Sequence, residues 1–73
     1  MNEGRIKKKI GDRIEDVRRE KNITQEDLAK SIGKLRPVIQ RIEGGKVNPA
    51  IYTLREIAGG LGIPLEELLK GIR

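Results

Sequence analysis

The 73-residue chain contains no cysteine and no histidine. Without a thiol it can form neither a disulfide nor a thiolate nucleophile. Without an imidazole it lacks a common zinc ligand and the usual general base near neutral pH. A domain this short also has too small a core to surround a deep catalytic cleft. We therefore expect a protein that is not an enzyme, holds no cofactor or metal, and functions through its surface.

Aromatic residues are almost absent as well, since Tyr52 is the only one. Modules that bind single-stranded nucleic acid stack bases on several aromatic side chains, so the composition argues against that class. No apolar run approaches the roughly 20 residues of a membrane span, and no apolar signal segment follows residues 1–5. We expect a soluble, cytoplasmic protein with no membrane partner and no evident small-molecule ligand.

Positive charge is present in excess, with sixteen Lys and Arg against eleven Asp and Glu and a net charge of +5. Residues 1–9 and residues 34–46 each carry a net charge of +3. Basic blocks attract polyanions such as nucleic acid, an anionic membrane surface or an acidic protein, although a solvated face is the plain alternative. The membrane alternative fits poorly, because residues 12–20 carry four acids where a cationic helix face would be needed.

Apolar residues recur with a helical period along the chain, and no segment alternates long enough to form a strand. The pattern predicts an all-α fold of five short helices around one aliphatic core. The expected core stripes, in chain order, are Ile10, Ile14 and Val17; Leu28, Ala29 and Ile32; Val38, Ile39 and Ile42; Leu54, Ile57, Ala58 and Leu61; and Leu65, Leu68 and Leu69.

Local signals predict where these helices begin and end. The first helix is expected from about Ile6 to Lys21, so residues 1–9 form a basic N-terminal arm and the start of that helix, and residues 10–70 form the domain. The remaining boundaries follow from capping and breaking residues: Thr24 with Asp27 opens the second helix and Gly33 ends it, Gly44-Gly45 ends the third, Asn48-Pro49 opens the fourth, Gly62 ends it and Pro64 opens the fifth.

The most informative stretch lies between residues 24 and 49. Two short helices can cross steeply at a tight turn if the first offers a small residue, the turn tolerates positive φ and the second helix locks back with a branched residue. Ala29, Gly33 and Ile39 meet these three demands in order. With TQEDLA at 24–29 and IQRIEGGK followed by Asn48-Pro49, the sequence resembles the Cro and phage-repressor-like helix-turn-helix family of small transcriptional regulators.

This resemblance covers about residues 10–69 and implies a lambda-repressor-like fold that binds specific sequences of double-stranded DNA. Residues 36–43 would form the recognition helix in the major groove. The resemblance implies base reading by Arg36, Pro37, Gln40 and Arg41, phosphate binding by Gln25, Lys34, Lys46 and Asn48, and a structural pair between Arg18 and Glu43.

Two residues depart from the family pattern at the start of the recognition helix. Leu35 stands where a small hydroxyl residue usually caps the helix, and Pro37 stands where a polar base-reading residue is common. Because proline disfavours the α conformation of the preceding residue, Arg36 is expected to be extended, as an arm, with the helix beginning at Pro37. Pro37 and Val38 can instead contact a thymine methyl group.

Regulators of this family often bind as two-fold dimers, so a homodimer on a palindromic operator is expected. The apolar residues of the last helix, Leu68, Leu69 and Ile72, with Ile51 and Tyr52 of the fourth, are the candidate interface. The alternative function is a protein-interaction module, such as a coactivator or an antitoxin-like component, with weak DNA specificity. It predicts little sequence preference on duplex DNA and stoichiometric binding of a protein.

Overall fold

The computed structural model describes residues 3–72, and within that range the chain forms five helices and no strand. The helices are α1 (Glu3–Glu20), α2 (Gln25–Ser31), α3 (Arg36–Glu43), α4 (Ile51–Leu61) and α5 (Leu65–Leu68). The all-α, five-helix prediction is therefore confirmed. None of the described helices is both long and apolar enough to cross a lipid bilayer. Residues 1 and 2 of the predicted arm lie outside the described residues.

The first helix begins at Glu3, three residues before its predicted start near Ile6. Residues 3–9 are thus helical. Within this helix, Ile6 packs against the core, and Lys8 Nζ lies 2.9 Å from Asp12 Oδ1 one turn later. The hydrogen bond with Asp12 also raises the pKa of Lys8.

The predicted stop and start signals around α2 are confirmed. Thr24 Oγ1 accepts a hydrogen bond from the Asp27 N–H at 3.0 Å, and the Asp27 carboxylate accepts one from the Thr24 N–H, which completes a capping box. Asn22 at the end of α1 has a φ of 57°, and Gly33 after α2 has a φ of 69°. These left-handed residues turn the chain sharply at both ends of α2.

The starts of α3 and α4 also differ from the prediction. Helix α3 begins at Arg36 because Leu35, not Arg36, takes the extended conformation, with φ −89° and ψ 148°. Proline is tolerated at the second helical position because the first N–H groups of a helix have no partner within it. Helix α4 begins at Ile51, two residues after Pro49, since Val47 packs against the core and the chain stays non-helical up to Ala50.

The core is aliphatic and contains nearly all the predicted stripe residues. The buried apolar residues are Ile10, Ile14, Val17, Leu28, Ala29, Ile39, Ile42, Leu54, Ile57, Ala58, Leu61 and Leu68, and Ile32, Leu65 and Leu69 pack against them from its edge. Val38 is the exception: it is 36% exposed, because α3 turns only one side toward the core. The prediction that Val38 belongs to the buried stripe is wrong.

Helix α5 is short, and a side chain of α1 hydrogen-bonds to its C-terminal end. Arg13 on α1 donates from Nη2 to the Glu67 carbonyl at 2.9 Å and from Nε to the Leu68 carbonyl at 3.3 Å. A guanidinium at a helix C-terminus satisfies carbonyls that have no helical partner. With Leu68 fully buried beneath it, α5 is fixed against the N-terminal half of the domain.

Gly11 allows a close crossing between α1 and α3. Gly11 on α1 faces the end of α3, where an added Cβ would overlap the Ile42 carbonyl oxygen and lie 2.5 Å from the Glu43 carbonyl oxygen. Both obstacles are backbone atoms, so they cannot rotate away as a side chain could. The crossing sets how α3 sits on α1, and hence how far its outer side projects.

Replacing Gly11 with alanine should therefore destabilise the domain. We expect Gly11→Ala to lower the free energy of unfolding by about 1–3 kcal/mol, the usual cost of overpacking, in urea titrations followed by circular dichroism. Gly59→Ala is the matched control in α4, because nothing lies within 4 Å of an added Cβ there. That variant should gain roughly 0.5–1 kcal/mol from helix propensity. Equal effects of the two changes would contradict the crossing argument.

Candidate nucleic-acid interface

Helices α2 and α3 pack against each other as a hairpin around the three residues that the turn requires. Ala29 and Ile39 are fully buried between the two helices. Gly33 takes the left-handed conformation, and the Lys34 N–H donates to the Ala29 carbonyl at 2.9 Å, which closes the end of α2. The geometry turns the chain back on itself and leaves one whole side of α3 facing outward.

The outward side of α3 carries all four residues predicted to read bases. Arg36, Pro37, Gln40 and Arg41 are exposed, whereas Ile39, Ile42 and Glu43 are buried on the opposite side. The first turn of α3 contains no acidic residue. The arrangement therefore offers hydrogen-bond donors and positive charge on a convex surface, which can approach an anion without an opposing carboxylate in that turn.

A buried ion pair joins the end of α3 to α1. Arg18 donates from Nε to Glu43 Oε2 at 2.7 Å and from Nη2 to Glu43 Oε1 at 3.0 Å, and from Nη1 to the Ile23 carbonyl at 2.9 Å. The two parallel bonds match the geometry of a guanidinium to that of a carboxylate. The hydrogen bond with Glu43 raises the pKa of Arg18, and burial opposes the shift.

The same carboxylate begins a chain of hydrogen bonds that runs to the outer surface. Gln25 at the start of α2 donates from Nε2 to Glu43 Oε1 at 3.0 Å. Its amide oxygen accepts from Arg36 Nε at 3.3 Å. Arg36 is therefore helical and hydrogen-bonded, and the expectation of an extended arm is wrong. Its position is held because Gln25 bridges it to the buried pair.

This bridging by Gln25 was not anticipated from the sequence. The resemblance suggested Gln25 as a phosphate ligand and Glu43 as a partner of Arg18, but nothing joined the two. No local pattern indicates the bridge, since Gln25 contacts residues at both ends of α3. The side-chain amide of Gln25 thus uses one N–H and one oxygen lone pair in hydrogen bonds to protein groups.

The other predicted phosphate ligands sit in different surroundings. Lys34 Nζ lies 3.7 Å from Glu56 Oε1 on α4, and that oxygen is buried with no hydrogen-bond partner among the described residues. Lys46 and Asn48 are exposed in the loop that follows α3. Lys34 thus balances a partly buried carboxylate, while Lys46 and Asn48 face solvent beside α3.

The fold also brings the two basic blocks of the sequence together. A Cβ added to Gly45 would lie 3.1 Å from Lys8 Cα, so the loop after α3 rests on the first turns of α1. Residues 5–9 and Lys46 therefore border one surface. The sequence pattern indicated no reason to join them, because residues 10–33 separate the two blocks.

Comparison with known proteins identifies the fold and the class of protein that the sequence predicts. A helix-turn-helix family model, HTH_3, matches residues 14–68. The chain is 35% identical over 60 residues to the immunity repressor protein of Bacillus phage phi105 and 34% identical over 64 residues to an HTH-type transcriptional regulator of Sinorhizobium fredii. The restriction-modification controller protein C.AhdI from Aeromonas hydrophila superposes with a TM-score of 0.88 at 28% identity.

The extent of these matches differs among the relatives. The aligned part covers 82% of this chain but only 42% of the phage repressor, whereas for the Sinorhizobium protein it covers 88% and 83%. For the controller protein it covers 93% of this chain and 99% of that one. The chain therefore corresponds to nearly the whole of some relatives and to less than half of another.

The buried pair should dominate the stability of the domain. We expect Arg18→Met to lower the free energy of unfolding by about 3–5 kcal/mol, because it leaves the Glu43 carboxylate buried without its cation. Arg19→Met is the matched control: it removes the neighbouring guanidinium, which pairs with Glu15 at 3.0 Å in an exposed position. Its cost should stay below about 1 kcal/mol. Thermal and urea unfolding of both variants measure the difference, and similar losses would contradict it.

Proposed function

Because the chain belongs to the helix-turn-helix family HTH_3, a family of DNA-binding transcriptional regulators, we propose that it binds a specific double-stranded DNA sequence with α3 in the major groove. The observation that carries this proposal is the outward side of α3, which combines exposed donors with a first turn free of acids. An α-helix fits the width of the major groove, and a helix that enters it by its N-terminal end presents these residues to base edges.

We assign base discrimination to the outward side of α3, which carries Arg36, Pro37, Gln40 and Arg41. Arg36 and Arg41 can each donate two hydrogen bonds to guanine O6 and N7, and Gln40 can pair in the same way with adenine N6 and N7. Pro37 supplies apolar contact between them. The link from Arg36 through Gln25 to the buried pair supports a fixed orientation of its guanidinium before DNA arrives, which lowers the entropy lost on binding.

Phosphate contacts are assigned to Gln25, Lys34, Lys46 and Asn48. Lys46 and Asn48 flank α3 in an exposed loop, next to the basic first turns of α1. Gln25 stands at the N-terminus of α2, where free N–H groups favour an anion and where the amide retains one donor. Lys34 has to exchange its contact with Glu56 for the phosphate, so its contribution should be smaller than that of Lys46.

We further propose a homodimer on a palindromic operator. Ile51 and Tyr52 at the start of α4 are 64% and 69% exposed, and they are available to a second copy. Leu68 is buried, and Leu69 and Ile72 pack against the core, so the α5 part of the expected interface is largely used within the domain. Two-fold symmetry would set the half-sites about 34 Å apart. We also propose that this regulator acts in the cytoplasm.

Selection from a random duplex library tests the proposal. We expect the wild-type chain to enrich one motif at near-physiological salt. Arg41→Ala should lose discrimination at one or two positions of each half-site, by about 1–3 kcal/mol per base pair. Lys70→Ala is the control, because it removes one exposed positive charge beyond α5 and should keep the full motif. A palindromic motif supports the dimer, and a single half-site argues against it.

The opposite result would favour the interaction module. Salt-sensitive binding to all duplexes alike, with no motif enriched, would contradict sequence-specific regulation. The exposed residues at the start of α4 would then be the first surface to search for a protein partner.

The phosphate assignment predicts a separate effect for Lys46. Removing a cation that neutralises one phosphate should lower the slope of log K against log salt concentration by about 0.9. We expect this slope change for Lys46→Ala in anisotropy titrations over a range of salt concentrations, with an unchanged motif in the library selection. A changed motif would instead place Lys46 at a base edge.

A further inference from the structure

The N-terminal end of α3 carries three exposed apolar residues, Leu35, Pro37 and Val38, which we call the apolar tip. Leu35 is 77% exposed, more than either Ile51 or Tyr52, and Val38 is 36% exposed. The Val38 N–H donates to the Leu35 carbonyl at 3.0 Å, so these two residues stand one turn apart at the same end of the helix. None of the three belongs to the core or packs against its edge.

Folding gives no reason for leucine at position 35. Leu35 occupies the N-cap of α3 and makes no side-chain hydrogen bond to the first turn, whereas serine, threonine or aspartate would accept one. Its apolar surface also stays in water, where it gains nothing from burial. Thr24 at the same position of α2 forms a complete capping box. Neither capping nor burial therefore favours Leu35, and its exposed side chain is available for contact with a bound molecule.

We infer that the apolar tip binds the C5-methyl groups of pyrimidine bases in the major groove. The inference rests on the proposed function, because it requires α3 to enter that groove. The C5-methyl of thymine is the apolar group that base pairs present there, and 5-methylcytosine carries the same group at the same place. The tip enters first because it lies at the N-terminal end of α3.

The surroundings of the tip match this ligand in size and charge. Three side chains are enough to cover a few methyl groups on neighbouring bases. Arg36 lies within the tip and Lys34 precedes it, and the first turn of α3 holds no acid, so positive charge surrounds the apolar contact. Duplex DNA has the complementary arrangement, since anionic backbones border each base edge. Pro37 adds rigidity, because its ring fixes φ and few rotamers are lost on contact.

The test uses the motif enriched by the wild-type chain. Each thymine of that duplex is replaced in turn by deoxyuridine, which lacks only the C5-methyl, and Kd is measured by fluorescence anisotropy at one salt concentration. At positions facing the tip we expect binding about fourfold weaker, the change that corresponds to about 0.8 kcal/mol for one buried carbon group. A parallel series replaces each cytosine with 5-methylcytosine. Weaker binding in the deoxyuridine series identifies thymine as the base that the tip contacts. Tighter binding in the 5-methylcytosine series identifies methylated cytosine as its ligand.

A variant separates contact with the methyl group from stability. Leu35→Ser should bring the ratio of the Kd for the deoxyuridine duplex to the Kd for the thymine duplex close to one. Its melting temperature should rise, because serine can cap α3. A purely structural role of Leu35 would not move that ratio. Lys70→Ala is the control, since Lys70 is exposed, lies outside the tip and should retain the wild-type ratio.

Two outcomes would overturn the inference. The first is a wild-type chain that binds the deoxyuridine and thymine duplexes equally at every position of the motif and gains nothing from 5-methylcytosine. That result would overturn the inference and leave the proposed function intact. An unchanged ratio in Leu35→Ser would do the same. Failure to enrich any motif would instead overturn the proposed function, and this inference with it.

Discussion

The bidentate ion pair between Arg18 and Glu43 is the contact on which the placement of the exposed face depends. It joins the end of α3 to α1 with the Arg18 side chain 9% and the Glu43 side chain 4% exposed. Two charges withdrawn from water are tolerated only when each is fully hydrogen-bonded. Arg18 meets this condition with the Ile23 carbonyl and Glu43 with the Gln25 amide. The requirement to satisfy one buried pair thus fixes three helices relative to one another.

The consequences reach the outer surface because the hydrogen bonds continue outward. Gln25 contacts the buried carboxylate on one side and Arg36 on the other, so a guanidinium on the exposed side of α3 is positioned from within. The close crossing at Gly11 has a similar effect, since it seats the last turn of α3 directly on α1. Helix α3 has only eight residues and a core contact along one side. Its rigidity comes from these attachments, because a helix of two turns is marginal by itself.

Much of this fold could be read from local patterns, and particular residues explain where that reading failed. The capping box at Thr24 and the left-handed residues Asn22 and Gly33 act within a few residues of the chain, so their effects were predictable. Val38 was assigned to the core by periodicity, but a short helix against a small core buries fewer residues than its stripe suggests. Arg36 was expected to be extended because proline follows it; the extended residue is instead Leu35, one position earlier.

By itself, the sequence determined the helix pattern, the aliphatic core and the helix-turn-helix hairpin, because periodicity, caps and turn residues act over short distances and have few alternatives. It also determined which side of α3 carries donors and cations. Only the tertiary structure decided that Gln25 bridges the buried pair to Arg36, that Lys34 faces Glu56, and that the two basic blocks meet beside Gly45. Those contacts join residues far apart in the chain. They depend on where whole helices cross, and no local pattern carries that information.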